Sequence, residues 1–269
     1  MDKVQQIISW FNNYNGKSVR IISESKDFYI NIDNSMLPHL LGLHYIRRDT
    51  KILKGNQLLK YIVDNKLSDA DIITKGVLRN HGTNVANKVQ QRIDTFRDFM
   101  ENIERARIVE NTNPNTRIRS SYLAIDNPRS QYIRHLAILD TGDIDIILDY
   151  DVNTLETYIV QGNDNYYSNT TIDEPIKELL FYNEEKDGWY KGSFNLQRNR
   201  ELEEEQGINV ALGIDKVVYN REKDEIDNFR TIEEILSTDF DIEHSSSEYE
   251  VNQNASSEVE LNEEDFLER

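Results

Sequence analysis

A chain of 269 residues with 38% hydrophobic content can bury a core, but it holds no run of about 18 apolar residues and is not expected to span a bilayer. Its net charge of −18 is uneven: residues 1–150 carry 21 lysines and arginines against 18 acids, and residues 151–269 carry 10 against 31. Two halves of such different charge suggest separate jobs, and the lack of cysteine excludes a disulfide framework, a thiolate nucleophile and a thiolate metal site, in keeping with a reducing cytoplasm.

The opening residues MDKVQQIISWF have neither a basic leader nor a long apolar centre, so no secretory signal is expected there, and residues 2–12 read as a short amphipathic helix. VRII and FYINI then alternate around SESKD, the pattern of a hairpin. Asn34 or Ser35 can cap the next helix, Pro38 suits its first turn, and Gly42 can end it. This helix lies within SMLPHLLGLHYIRR, residues 35–48, where His39 and His44 stand five residues apart. On a continuous helix that spacing separates them by about 140°, so they meet one substrate only if Gly42 breaks the helix. His44 would lie with Leu37, Leu40 and Leu41, and His39 with Met36, Leu43 and Ile46. Both faces are apolar, so a buried helix with hydrogen-bonded imidazoles is the plain alternative to reactive ones.

A helix over 56–65 follows, and Ser68 with Asp71, flanked by Leu67 and Ile72, forms a capping box that opens a third. The strongest helical repeat spans 84–106, where Val85, Val89, Ile93, Phe96, Met100 and Ile103 recur at spacings of three and four. The period then changes to two. RIVE, SSYLAI, YIRHLAIL and DIDIIL are joined by NTNPNT, DNPRS and TGD, links suited to antiparallel hairpins, and TYIVQG adds a strand. The expected fold class is α+β, with an N-terminal hairpin and helices followed by an antiparallel β-meander and an acidic C-terminal extension. The expected division is 1–162 for the α+β domain, 163–237 for an acidic accessory region, and 238–269 for an acidic tail. In the accessory region Asp173 and Pro175 open a helix through Tyr182, and Thr231 with Glu234 caps another. The tail holds 11 acids and one base, too few apolar residues to offset its ordering entropy unaided.

Chemistry-bearing motifs are few. No HExxH occurs and the helical histidines are spaced wrongly for zinc, so no metal is expected; GxxxxGK[ST], GxGxxG and GxSxG are also absent, so no nucleotide loop, cofactor or hydrolase elbow is expected. His81 lies in the loop-like NHGTN and His244 in the tail. What stands out is basic and hydroxyl chemistry. Arg47, Arg48, Lys51, Lys54 and Lys60 follow the histidine helix, and Arg117, Arg119, Ser120, Ser121 and Tyr122 lead into a strand. Such groups can hold phosphates, or they can be solvated charges.

The order of the HLLGL helix, the arginine-bearing VQQRIDTFRDFM helix and the strands SSYLAI and YIRHLAIL resembles the fourth phage group of the barnase, EndoU, colicin and RelE-like nuclease superfamily, over residues 17–160. The resemblance implies an RNase-like, helix-first and sheet-second domain of phage origin that needs no metal. It marks His39, Arg92 and Ser121 as candidate catalytic residues; Arg47, Arg48, Lys60 and Arg119, read from the basic clusters themselves, are the candidate substrate-binding residues. In metal-independent RNA cleavage the 2′-OH attacks its own phosphate; His39 would transfer protons, Arg92 would take the phosphate charge, and Ser121 would orient it. RNA is then the expected partner. A rival reading makes the chain an inhibitor of a basic host nucleic-acid-binding protein, its acidic half imitating a phosphate backbone, because 21 excess negative charges repel RNA unless held away from the site. A structural or assembly role is a third reading. No membrane partner is expected, and oligomeric state is not legible.

Overall fold

The computed structural model describes residues 2–206, apart from 46, 49–50, 127–131, 147–149 and 163–164. The Thr231–Glu234 capping box and the 238–269 tail lie outside the described residues.

Helix α1 (Lys3–Asn12) forms where Val4, Ile7, Ile8 and Phe11 share one buried stripe. Its cap is tertiary: the N–H groups of Lys3 and Val4 donate to the Asp69 carboxylate at 3.1 and 2.8 Å. Strands β1 (Ser18–Ile22) and β2 (Asp27–Asn31) make the expected hairpin. The histidine segment is not one helix. A 3₁₀ turn at Asn34–Met36, capped by Asp33 rather than by Asn34 or Ser35, runs into the four-residue α2 (Leu37–Leu40), and a second 3₁₀ turn covers Leu43–Tyr45 beyond Gly42. A short pair, β3 (Arg47–Arg48) with β4 (Lys51–Ile52), precedes α3 (Gly55–Asp64).

Helix α4 (Asp69–Asp71) carries the reciprocal Ser68–Asp71 capping box. A π-helical stretch, Ile72–Val77, then leads into α5 (Leu78–Glu101), which bends at Gly82 where φ is +77°. Val89, Ile93, Phe96 and Met100 are buried along α5, and Ile103 is buried in the 3₁₀ turn after it.

The meander follows as β5 (Arg107–Glu110), β6 (Tyr122–Asp126), β7 (Ile133–Asp145) and β8 (Tyr150–Gln161). The TGD link is a bulge inside β7, not a turn: Gly142 takes φ +75° and the pairing jumps between Asp140 and Ile144. Three more strands complete the sheet: β9 (Asp173–Pro175), β10 (Glu178–Asn183) and β11 (Gly188–Lys191). Among the described residues nine strands form one sheet in the order β11-β10-β1-β2-β8-β7-β6-β5-β9, antiparallel except where β2 meets β8.

The sheet therefore runs past the boundary expected at residue 162. The helix expected from Asp173 to Tyr182 is instead two strands. A short run such as ELLFYN fits either period, and pairing with β1 decides for strand, turning Leu179 and Phe181 inward. Pro175 is tolerated because β9 is an edge strand. Helix α6 (Leu196–Glu205) closes the described chain, and the Trp10 indole and the Tyr14 hydroxyl both donate to the Phe194 carbonyl, at 3.2 and 2.6 Å.

β9 pairs with β5, and the chain then pairs as β10 with β1, so one short segment joins strands from both halves of the sheet. The sheet consequently curls, and Ser23 and Ser25 of the β1–β2 turn donate to Glu174 of β9. Its concave face, with Ile21, Phe28, Ile138, Leu155 and Tyr158, packs on α1, α2, α3 and α5. On the other face a smaller cluster, Val109, Leu123, Ile125 and Ala137, is covered by Ile118, Tyr166 and Tyr167. His135 is fully buried beside those two tyrosines, 5.7 Å from each ring. Its ring nitrogens make no well-formed hydrogen bond, although the Ile159 backbone slightly favours the charged form; burial dominates and holds it at about 4, a neutral structural imidazole. Among the described residues no helix is long and apolar enough to cross a membrane.

Candidate active site

β2 bonds to β8 only where Tyr29 and Ile30 face Val152 and Asn153, and α2 packs beside β8. His39 sits on α2, open at the surface, while Leu37 and Leu40 anchor the helix in the core. Gly42 then reverses the chain with φ +73°, a conformation that favours glycine. A Cβ at this position would also come within 3.2 Å of both Arg92 Nη1 and Val89 Cγ2, so the glycine lets the α5 arginine lie against the turn. The reversal brings the rings of His39 and half-buried His44 to a centroid separation of 4.7 Å. The break at Gly42 thus meets the condition under which the two imidazoles can face one substrate.

A second element comes from β8. Ala137 pairs with Thr157 and Ile138 with Leu155, so the register skips Glu156 and leaves it at a bulge, a device that re-aims a side chain. The Glu156 carboxylate accepts hydrogen bonds from the N–H groups of Arg119 and Ser120 at 3.0 and 2.8 Å and from the Ser120 hydroxyl at 2.5 Å, and the Arg119 Nε lies 3.8 Å away. Burial alone would raise this carboxyl, but the Ser120 and Arg119 donors and the Arg119 charge outweigh it and hold the group below the usual carboxylate range.

The electrostatics join the two elements. Although His39 is exposed as a residue, it is pushed below the ordinary histidine value first by the partial burial of its ring, which disfavours the charged form, and then by Arg92, with Glu156 opposing and Arg119 reinforcing. The neutral form of His39 is therefore favoured, within the field of two guanidinium groups and one carboxylate.

His39 and Arg92 are brought together, with Arg119 close enough to act on the histidine. Ser121 is exposed; the alternation that turns Tyr122 and Ala124 to the concave core sets it with Leu123 on the other side, and Ser120 is the hydroxyl that meets Glu156. Ser121 lines, with Arg119 and Tyr122, an open groove of about 460 Å³. Lys60 is engaged with Asp64 along α3 at 3.6 Å. Arg47 and Arg48 fall in β3, and their side chains lie outside the described residues. Glu156 escaped sequence reasoning because a lone acid in a strand reads as solvent-facing, and only a pairing partner can reveal a bulge.

No curated protein and no solved structure matches the chain. A family model described as phage-Barnase-EndoU-ColicinE5/D-RelE like nuclease 4 matches residues 3–196, which takes in both elements of the site and every strand of the sheet. The chain belongs to that nuclease-like phage family.

Proposed function

We propose that the domain cleaves RNA in the bacterial cytoplasm without a metal ion. The observation that carries this reading is the approach of the His39 and His44 rings to 4.7 Å at the Gly42 turn, with the Arg92 side chain lying against that turn. His39 takes the proton of a ribose 2′-OH; the oxygen bonds to the adjacent phosphorus, and the bond from phosphorus to the 5′-oxygen breaks. Arg92 and Arg119 stabilise the charge on the non-bridging oxygens. The His44 imidazolium, 4.7 Å from the His39 ring, gives a proton to the departing oxygen. Glu156 transfers no proton, because its oxygens are occupied by Ser120 and Arg119; it holds the Arg119 segment toward His39. Ser121 orients the strand along the groove, and Arg47, Arg48 and Lys60 are the further substrate-binding residues of this reading.

The test uses one single-stranded RNA and the DNA of the same sequence in excess chelator. The RNA should be cut to fragments ending in 2′,3′-cyclic phosphate while the DNA stays intact. Cleavage of the DNA, which has no 2′-OH, or dependence on an added divalent metal sinks the reading.

Charge favours a second reading, since residues 207–269 carry 18 acids against 5 bases. In it this segment imitates a nucleic-acid backbone and occupies a basic host nucleic-acid-binding protein as an anti-defence device. A chain ending at Gln206, which keeps β9 to β11, separates the two. RNA cleavage that persists or rises, most strongly at low salt, supports the nuclease with the segment as a screen. Loss of oligolysine binding, with no RNA cleavage by either chain, supports the mimic.

A further inference from the structure

The face of the sheet away from the helices is covered over β5 to β7 by Ile118, Tyr166 and Tyr167, whereas over β1, β2 and the start of β8 it presents rings. Val19, Ile21, Phe28 and Ile30 turn to the core, so Arg20 and Tyr29 turn away from it. Tyr29 stacks on Tyr150 at 5.4 Å, and Trp189 closes edge-on at 5.9 Å from each ring. Arg20 lies 4.7 Å over Tyr150 and is paired with Asp27. Beside these rings the β7–β8 hairpin leaves Ile144 61% and Ile146 92% exposed, the two most exposed large hydrophobic residues among those described. A recess of about 220 Å³ between them is lined by Asp27, Tyr29, Ile144, Tyr150 and Asp151.

We propose that this recess and the hairpin beside it form a docking surface for a protein segment that carries arginine or lysine between apolar residues. Two exposed isoleucines supply an apolar anchor of a kind that marks interaction sites on soluble proteins. The charge selects what they anchor. Residues 140–151, DTGDIDIILDYD, hold five aspartates and no lysine or arginine. Asp27 is already neutralised by Arg20, and Asp145 accepts from the Tyr29 hydroxyl at 2.6 Å. Exposed Asp143 and Asp151, by contrast, meet no lysine or arginine among the described residues. A nucleic acid would bring phosphates against these carboxylates, and a second copy would bring the same aspartates against themselves, with a net charge of −18 on each chain. A cationic segment alone relieves the charge while covering the isoleucines. The surface shares no residue with the His39 site and is independent of the nuclease reading and of residues 207–269.

The probe is a pair of labelled peptides, one alternating arginine with leucine and one alternating arginine with serine, titrated against the whole chain by fluorescence anisotropy. Wild type should bind both and prefer the leucine peptide. The D143K/D151K double variant should weaken both by roughly tenfold or more, and the I144S/I146S variant should abolish the preference while leaving the serine peptide bound. All four positions are exposed, so the melting temperatures of both variants should match wild type. Unchanged affinity in D143K/D151K locates the binding elsewhere on the acidic chain and overturns the proposal. So does equal affinity of wild type for the two peptides, or single-stranded RNA binding that I144S/I146S removes.

Discussion

Replacing His39 with alanine should lower RNA cleavage by roughly 10²- to 10⁴-fold, the usual range for loss of a proton-transfer group, with little change in melting temperature. The stability expectation follows from exposure: His39 is an exposed residue, and Leu37 and Leu40 hold α2 in the core. The pH profile supplies a check that a structural role would not move. Burial and Arg92 depress His39, so the acid limb of the rate should fall below the ordinary histidine value of about 6.5. The rate should therefore rise with pH through that limb and fall again as His44, the proton donor, loses its proton, a bell-shaped profile. Glu156 opposes the depression, so Glu156→Gln should move the acid limb to still lower pH and, by loosening the Arg119 segment, lower the maximum rate. If His39→Ala and His44→Ala instead lose equal stability, both histidines return to a structural role. An acid limb that stays put in Glu156→Gln removes the carboxylate from the site.

Phe96→Ala should cost about 3–5 kcal/mol, the range for a fully buried aromatic replaced by alanine. Phe96 is 0% exposed and sits where α5 meets both α1 and the sheet, its ring 6.2 Å from Trp10 and Phe11 and 5.3 Å from Tyr158. Three elements border the cavity, and none can close it without losing contacts elsewhere. For a domain of this size the loss corresponds to a fall in melting temperature of roughly 6–20 °C. A fall under about 2 °C would show that the stripe does not face the sheet. Lys60→Ala is the companion control, since its ion pair with Asp64 is half exposed and lies along one helix.

Local periodicity was sufficient for the elements whose stabilising neighbours lie close in the chain. The β1–β2 hairpin, the Ser68–Asp71 capping box and the 89–103 stripe depend on spacings of two to four residues, which the sequence displays directly. HLLGL and the arginine helix likewise carried the family resemblance, and they hold His39 and Arg92. Tertiary structure decided the rest. ELLFYN became a strand because β1 offers it an edge to pair with, and TGD became a bulge because β8 runs on beside it. The Gly42 reversal was legible as a helix end and as the condition for the two imidazoles to meet, but not as their 4.7 Å approach, which needs the turn to close against Arg92. Glu156 entered the site only through a register skip between two strands and donors 36 residues upstream. Side-chain period is a property of one segment, whereas register, curl and electrostatic neighbourhood depend on which distant segments pair, and composition alone does not encode that choice.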